Sequence, residues 1–141
     1  MIPSNYRQPI ASISDYATFL ERFDFTYYGT FTTGYSMSLD AARDVMERYF
    51  NEISKAGQTM LFWVAENYEL KDGYHTHGLL QTPEEMSYQK LIDTWQWASG
   101  GKKADKWNRL DLQRYDKKKG GRFYLSKHMR YGRTDYDLWF S

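Results

Sequence analysis

The chain has 141 residues and a formal net charge of +1; 41% of its residues are hydrophobic, 18% are aromatic and none is cysteine. This length and composition favour one folded domain over a disordered or multidomain chain, and the lack of cysteine excludes disulfide frameworks and thiolate metal sites. No apolar run approaches the length of a membrane span and the N-terminus lacks the pattern of a signal peptide, so we expect a cytoplasmic, intracellular protein with no membrane partner.

The predicted elements begin after a polar N-terminal segment. We interpret residues 1–22 as an arm or lead-in and residues 23–141 as a single domain. Residues 25–33 are rich in aromatic and β-branched side chains, which is typical of a strand. A helix follows, because apolar residues recur at the 3.6-residue period between an expected N-cap at Ser38 and a stop at Gly57.

The middle of the chain predicts a hairpin and a second helix. Two strands are expected at residues 59–68 and 74–81, joined by a turn. The helix is expected to run from Thr82, as its N-cap, to the glycine pair at residues 100–101. The remaining elements are a strand, a short helix and a last strand, at residues 107–115, 121–131 and 136–140. The order βαββαβαβ predicts an α+β sandwich of the ferredoxin-like or RRM-like type, with a mostly antiparallel sheet, helices mainly on one face, and the other face free for a site.

Two of the three histidines lie in the third predicted strand, in the stretch GYHTHGLL. Because strand side chains alternate between faces, His75 and His77 point the same way, roughly 7 Å apart. Pairing of the hairpin can bring Glu66 beside them, with Glu69 as the fallback. Two neutral imidazoles and a carboxylate suit a divalent cation such as Mn²⁺ or Mg²⁺ that also takes substrate oxygens. Histidines at this spacing also occur without a metal, so the pair alone leaves both interpretations open.

A second motif lies near the C-terminus, in FYLSKHM. Helical spacing places Tyr124 and Lys127 on one face. A tyrosine hydroxyl is a usable nucleophile when a cation offsets its developing charge, and Lys127 can do that or hold a phosphate. Tyr124 is also one of 13 tyrosines, and on that count alone packing in the core is the favoured explanation.

Positive charge is concentrated in the last third of the chain. Residues 1–99 carry 7 lysines and arginines against 13 acids, whereas residues 100–141 carry 12 against 5. Such clustering forms either a footprint for phosphates or a solvated charged face. The candidate DNA-binding residues are Lys102, Lys103, Lys106, Arg109, Arg114, Lys117, Lys118, Lys119 and Arg122. The aromatic residues that can stack on unpaired bases, or else fill the core, include Tyr27, Trp107 and Tyr115.

Taken in chain order, FTYYGTFTT, YHTHGLL and YLSK resemble the three motifs of HUH endonucleases of the rolling-circle replication initiator (Rep) class. The resemblance spans about residues 25–129, and the ordered combination is more specific than any one motif. One departure is Thr76, where the family usually has a hydrophobic residue between the two histidines. Since this side chain points away from the histidines, the departure affects packing more than catalysis.

The resemblance implies a role for each motif residue. His75 and His77 match the paired metal ligands, and Glu66 occupies the place of a third polar ligand on the adjacent strand. Tyr124 matches the nucleophile and Lys127 the lysine of the Tyr-x-x-Lys motif. The chain therefore resembles the single-tyrosine branch of these enzymes.

The implied activity is nicking of single-stranded DNA at an origin or an origin hairpin by metal-assisted transesterification. The reaction would leave a 5′-phosphotyrosine and a free 3′-OH and would later rejoin the strands, as rolling-circle replication of a plasmid, virus or integrated element requires. Tyr131 is a rival for the nucleophile. Because the chain has no helicase motif, a host helicase is the expected partner for unwinding. The alternatives are a single-tyrosine HUH transposase and a non-catalytic ferredoxin-like nucleic-acid-binding module.

Overall fold

The computed structural model describes residues 18–83, 86–120 and 135–141 of the chain. The strands are β1 (Tyr27–Thr32), β2 (Met60–Asn67), β3 (Tyr74–Gln81), β4 (Arg109–Arg114) and β5 (Tyr136–Phe140), and the main helices are α1 (Leu39–Ser54) and α2 (Tyr88–Gly100). The chain is an α+β sandwich of the ferredoxin-like type, which confirms the predicted fold class. No helix within these ranges is long and apolar enough to cross a membrane.

The helix starts are set by serine caps. Ser38 caps α1 as predicted, because its side-chain oxygen accepts a hydrogen bond from the first turn of the helix. Helix α2 begins later than expected, since Ser87 accepts a hydrogen bond from the Lys90 backbone N–H at 3.1 Å. The predicted cap at Thr82 is wrong. Thr82 follows β3 directly, and its own backbone N–H donates to the Thr26 hydroxyl at 3.3 Å.

The five described strands form one sheet in the order β4-β1-β3-β2-β5, and every neighbouring pair is antiparallel. Strand β3, which carries the paired histidines, is therefore central and lies between β1 and β2. A central strand receives neighbours from both sides, so side chains of β1 and β2 surround whatever β3 presents on each face. The predicted helix at residues 121–131 lies outside the described residues.

The two helices pack on one face of the sheet and bury the main core. Trp63 of β2, Trp95 of α2 and Tyr49 of α1 are fully buried in it. Phe31 of β1 meets the rings of Trp95 and Tyr49 edge to face, with centroids 5.0 and 5.4 Å away. Such aromatic packing ties both helices to the sheet and makes this face the main source of stability.

The other face of the sheet was expected to be free of packed elements, but an apolar cluster covers one end of it. At one end Leu20 and Phe25 pack on Tyr28, Phe62 and Leu79 in a second, smaller apolar cluster. Leu20 is 0% exposed although it precedes the predicted start of the domain. The domain boundary itself stays a prediction. Towards the opposite end this face carries polar side chains, and the candidate site lies there.

Candidate metal centre

The two histidines of β3 lie side by side on the face opposite the helices. The ring centroids of His75 and His77 are 4.7 Å apart, with the rings nearly perpendicular at 78°. Thr76, between them, points into the helix-covered core, where it is fully buried and its hydroxyl donates to the Met46 sulfur at 3.1 Å. The polar side chain at this position is therefore accommodated by packing, away from the two imidazoles.

The register of the hairpin brings one carboxylate to the histidines. Glu66 of β2 is directly opposite His75, so both side chains emerge on the same face. Its Oε1 atom is 3.2 Å from His75 Nε2 and 3.5 Å from His77 Nε2. One ligand atom from each of these three residues lies within 4.8 Å of the other two. Glu69, the predicted fallback ligand, lies in the exposed hairpin loop and does not belong to this cluster.

The ring of His77 is oriented by two hydroxyl groups of β1. Its Nδ1 atom is 3.2 Å from the Thr30 hydroxyl and 3.4 Å from the Tyr28 hydroxyl. The Tyr28 ring is also nearly parallel to the imidazole, at 4°. When Nδ1 carries the proton and donates to a hydroxyl, Nε2 presents its lone pair towards Glu66, which is the arrangement a histidine metal ligand requires.

His75 is held by a different set of contacts. The Tyr68 ring stacks on it with centroids 4.5 Å apart, and the Lys71 ammonium lies 4.2 Å from the centre of the Tyr68 ring. Burial, together with the nearby Lys71 charge, lowers the pKa of His75 below its ordinary value of 6.5. The imidazole is therefore neutral at neutral pH, the form that binds metals. Its Nδ1 atom is buried and makes no hydrogen bond in the part of the chain that the structure describes.

The donor set fits a metal ion. It consists of two imidazole nitrogens and one carboxylate oxygen, and the side chains of Glu66, His75 and His77 are only 22%, 13% and 7% exposed. Three protein ligands leave coordination positions open for oxygens of a bound molecule. The cluster of Glu66, His75 and His77 can hold a metal ion, as the sequence predicted.

Four residues of the sequence hypothesis cannot be placed relative to this cluster. The proposed nucleophile Tyr124, its rival Tyr131, and the basic residues Lys127 and Arg122 lie outside the described residues. Their roles stay predictions.

The eight described DNA-binding candidates are all exposed, but they do not share one surface. Arg109 stands opposite Thr32 in the β1–β4 register, on the face of the metal centre. Arg114 lies on the other face, with its guanidinium 5.6 Å from the centre of the Tyr27 ring. Lys117 pairs with Asp24 at 2.9 Å. The remaining five lie outside the strands of the sheet and are Lys102, Lys103, Lys106, Lys118 and Lys119.

The three aromatic candidates also differ in their surroundings. Trp107 is 62% exposed, and the Lys106 ammonium lies 5.0 Å from the centre of its ring. Tyr27 is half-buried and packs on Tyr88 of α2, with ring centroids 6.3 Å apart. Tyr115 packs on Phe25, with ring centroids 5.7 Å apart. Trp107 is therefore the most exposed of the three, and among the described residues one flexible lysine side chain covers its ring.

Sequence reasoning missed the residues that orient the histidines. Alternation along β1 does place Tyr28 and Thr30 on one face, but nothing local shows that β1 is the neighbour of β3. Tyr68 was the last residue of the predicted strand at residues 59–68, but the observed β2 ends at Asn67, and Lys71 lies in the loop beyond it, where strand alternation does not predict direction. Comparison with models of protein families, with curated proteins and with solved structures finds no match.

Proposed function

We propose that this protein is a metal-dependent endonuclease that nicks single-stranded DNA at an origin of rolling-circle replication and later rejoins the strands. The observation that carries the proposal is the convergence of Glu66, His75 and His77 on one face of a central hairpin. This is the ligand set that the resemblance to single-tyrosine Rep nucleases implies. A binding module without catalysis has no need for such a cluster, whose buried polar groups cost stability.

The three ligands define what the chain contributes to metal binding. Glu66 supplies negative charge, and His75 and His77 supply neutral nitrogens whose rings are fixed by Tyr68 and by the β1 hydroxyls. When bound, Mn²⁺ or Mg²⁺ supplies positive charge against the oxygens of the scissile phosphate. Oxygen-rich phosphate ligands suit either cation, and the two imidazoles favour Mn²⁺ over Mg²⁺.

Tyr124 is the proposed nucleophile. Its phenolic oxygen forms a bond to the phosphorus while the bond from phosphorus to the 3′ oxygen breaks. The phenolic proton leaves to solvent, and the 3′ oxygen takes up a proton to become a free 3′-OH. Lys127 places a second positive charge near the reacting oxygens. Because the phosphodiester energy is kept in the 5′-phosphotyrosine, attack by a 3′-OH reverses the step and rejoins DNA without ATP.

The experiment uses single-stranded DNA with a randomised central segment and a fluorophore at its 3′ end. Cleavage transfers the 3′-labelled piece to the protein, so denaturing gels will show a labelled band of higher mass than the protein. We expect this band in Mn²⁺, no band in EDTA, and no band for Tyr124→Phe. The matched variant Tyr131→Phe should form the band as the wild type does, which separates the two candidate nucleophiles.

Two results would contradict the proposal. If Tyr124→Phe forms the adduct and Tyr131→Phe does not, the nucleophile is assigned wrongly. If the wild type binds the randomised DNA but forms no adduct in Mn²⁺ or Mg²⁺, the protein is a nucleic-acid-binding module of ferredoxin-like fold. If the wild type does form the adduct, sequencing of the attached DNA will identify the cleavage site.

A further inference from the structure

An open groove of about 490 Å³ lies on the side of the metal centre that faces β4. Its walls come from three places: the end of β1, the hairpin loop after β2, and the chain leading into β4. Tyr68 lines the groove and also stacks on the metal-ligand candidate His75, at 4.5 Å between ring centroids. A molecule in the groove is therefore one aromatic ring away from the metal centre.

Two of the seven described residues that line the groove are cationic. Lys71 and Arg109 line it from opposite sides, and the described lining residues include no acid. Both cations are exposed at their positions, so they are available to a ligand. Arg109 lies in the same cross-strand row as Thr32, whose hydroxyl donates to the Arg109 carbonyl at 3.2 Å. Two cations spaced across a groove are suited to the phosphates of an extended chain.

Trp107 forms the aromatic wall of the groove and is held in place although it is 62% exposed. Its backbone N–H donates to the Asp105 carboxylate at 2.8 Å, and Asn108 accepts a hydrogen bond from the Asp105 N–H at 3.2 Å. Gly34 allows the β1 end to approach closely, since a Cβ there would lie 3.1 Å from the Trp107 Cβ. An exposed indole on a turn held by these hydrogen bonds is suited to stack on a base, since ordering less backbone lowers the cost of binding.

We infer that this groove holds one nucleotide of the single-stranded DNA next to the cleaved phosphate, with its base on Trp107 and its flanking phosphates on Lys71 and Arg109. The inference rests on the proposed function for the identity of the ligand. It adds Tyr68 and Lys71 to the DNA-contacting surface. It also separates Arg109, which serves this groove, from Arg114, which lies on the opposite face of the sheet.

The test measures DNA affinity without cleavage. A fluorescein-labelled oligo(dT) of about 15 nucleotides is titrated with protein in EDTA and followed by fluorescence anisotropy. We expect Trp107→Ala to weaken binding roughly 5- to 150-fold, the range for loss of one stacked base, and Trp107→Phe to retain most of the affinity. Lys71→Gln and Arg109→Gln should each reduce the slope of log K against log salt by roughly 0.7, as expected for one phosphate contact.

The matched controls are Trp97→Ala and Lys90→Gln, which remove an exposed tryptophan and an exposed lysine from α2. Both should bind the oligonucleotide as the wild type does. The groove assignment is overturned if the wild type does not bind, or if the Trp107, Lys71 and Arg109 variants bind as tightly as the controls. The two proposals fail separately. An adduct with unchanged variant affinities removes the groove alone, whereas lowered affinities without any adduct remove the nickase and leave the groove as a binding site for single-stranded DNA.

Discussion

The two faces of the sheet are built from the same strands but are organised differently. On the helix-covered face, Trp63 and Trp95 are fully buried within one large apolar core. On the other face, a small apolar cluster occupies one end and the carboxylate and imidazoles of Glu66, His75 and His77 the other. Buried polar groups add less stability than apolar ones in the same space, so the polar cluster that could hold a metal ion makes the second face the less stabilising of the two.

This contrast makes a direct prediction for substitutions on the two faces. A truncation on the helix-covered face should lower the free energy of unfolding strongly. A truncation in the metal centre should leave the free energy of unfolding nearly unchanged in EDTA and should remove the response to metal.

The largest expected loss of stability is that of Trp95→Ala. Trp95 is fully buried between Phe31 and Tyr49, and its indole N–H donates to the Thr32 carbonyl at 3.0 Å. Truncation should lower the free energy of unfolding by about 3–5 kcal/mol, measured by urea denaturation in EDTA. A loss below about 1 kcal/mol would mean that the helix-covered core does not dominate stability as described. Trp97→Ala is the control, because Trp97 on the same helix is 51% exposed.

The second expected effect is that of His75→Ala on metal binding. Manganese at about 100 times its Kd should raise the free energy of unfolding of the wild type by about 2.7 kcal/mol, because it binds the folded state alone. His75→Ala should lose this increase, while its free energy of unfolding in EDTA should differ from that of the wild type by less than about 1 kcal/mol. Calorimetry and thermal denaturation with and without Mn²⁺ measure both quantities. Equal stabilisation of wild type and variant would place the metal elsewhere.

The smallest expected effect is that of Thr30→Val, which removes the hydroxyl 3.2 Å from His77 Nδ1 and keeps the β-branched shape. Loss of a group that orients a histidine ligand typically weakens metal binding by about 10- to 100-fold. Thr30→Ser, which keeps the hydroxyl, should restore most of the affinity. If the valine and serine variants bind Mn²⁺ equally well, the Tyr28 hydroxyl orients the ring by itself and Thr30 only packs there.

Much of the fold was predictable because its signals are local. Alternating β-branched and aromatic residues identified the strands, and the 3.6-residue period with the Ser38 cap identified α1. The start of α2 was predicted at the wrong place because both Thr82 and Ser87 are good capping residues. In the structure Ser87 caps the helix, whereas the Thr82 backbone N–H donates to the Thr26 hydroxyl. Local patterns do not predict such a contact, because Thr26 and Thr82 are distant in sequence.

The candidate site was predictable in its ligands but not in its surroundings. His75 and His77 share a face because alternation is a property of any strand, and the hairpin made Glu66 a reasonable third ligand. The roles of Thr30, Tyr28 and Tyr68 were not visible, since each reaches the histidines only after strands have paired or a loop has folded back.

Local patterns in the sequence predicted which residues form strands and which side chains share a face of each strand. Only in the folded chain does β1 become the neighbour of β3, does Glu66 stand opposite His75, and do Trp107 and Lys71 line one groove. The physical reason is that side-chain direction follows from the local backbone, whereas strand order and register follow from how the whole chain buries its apolar surface.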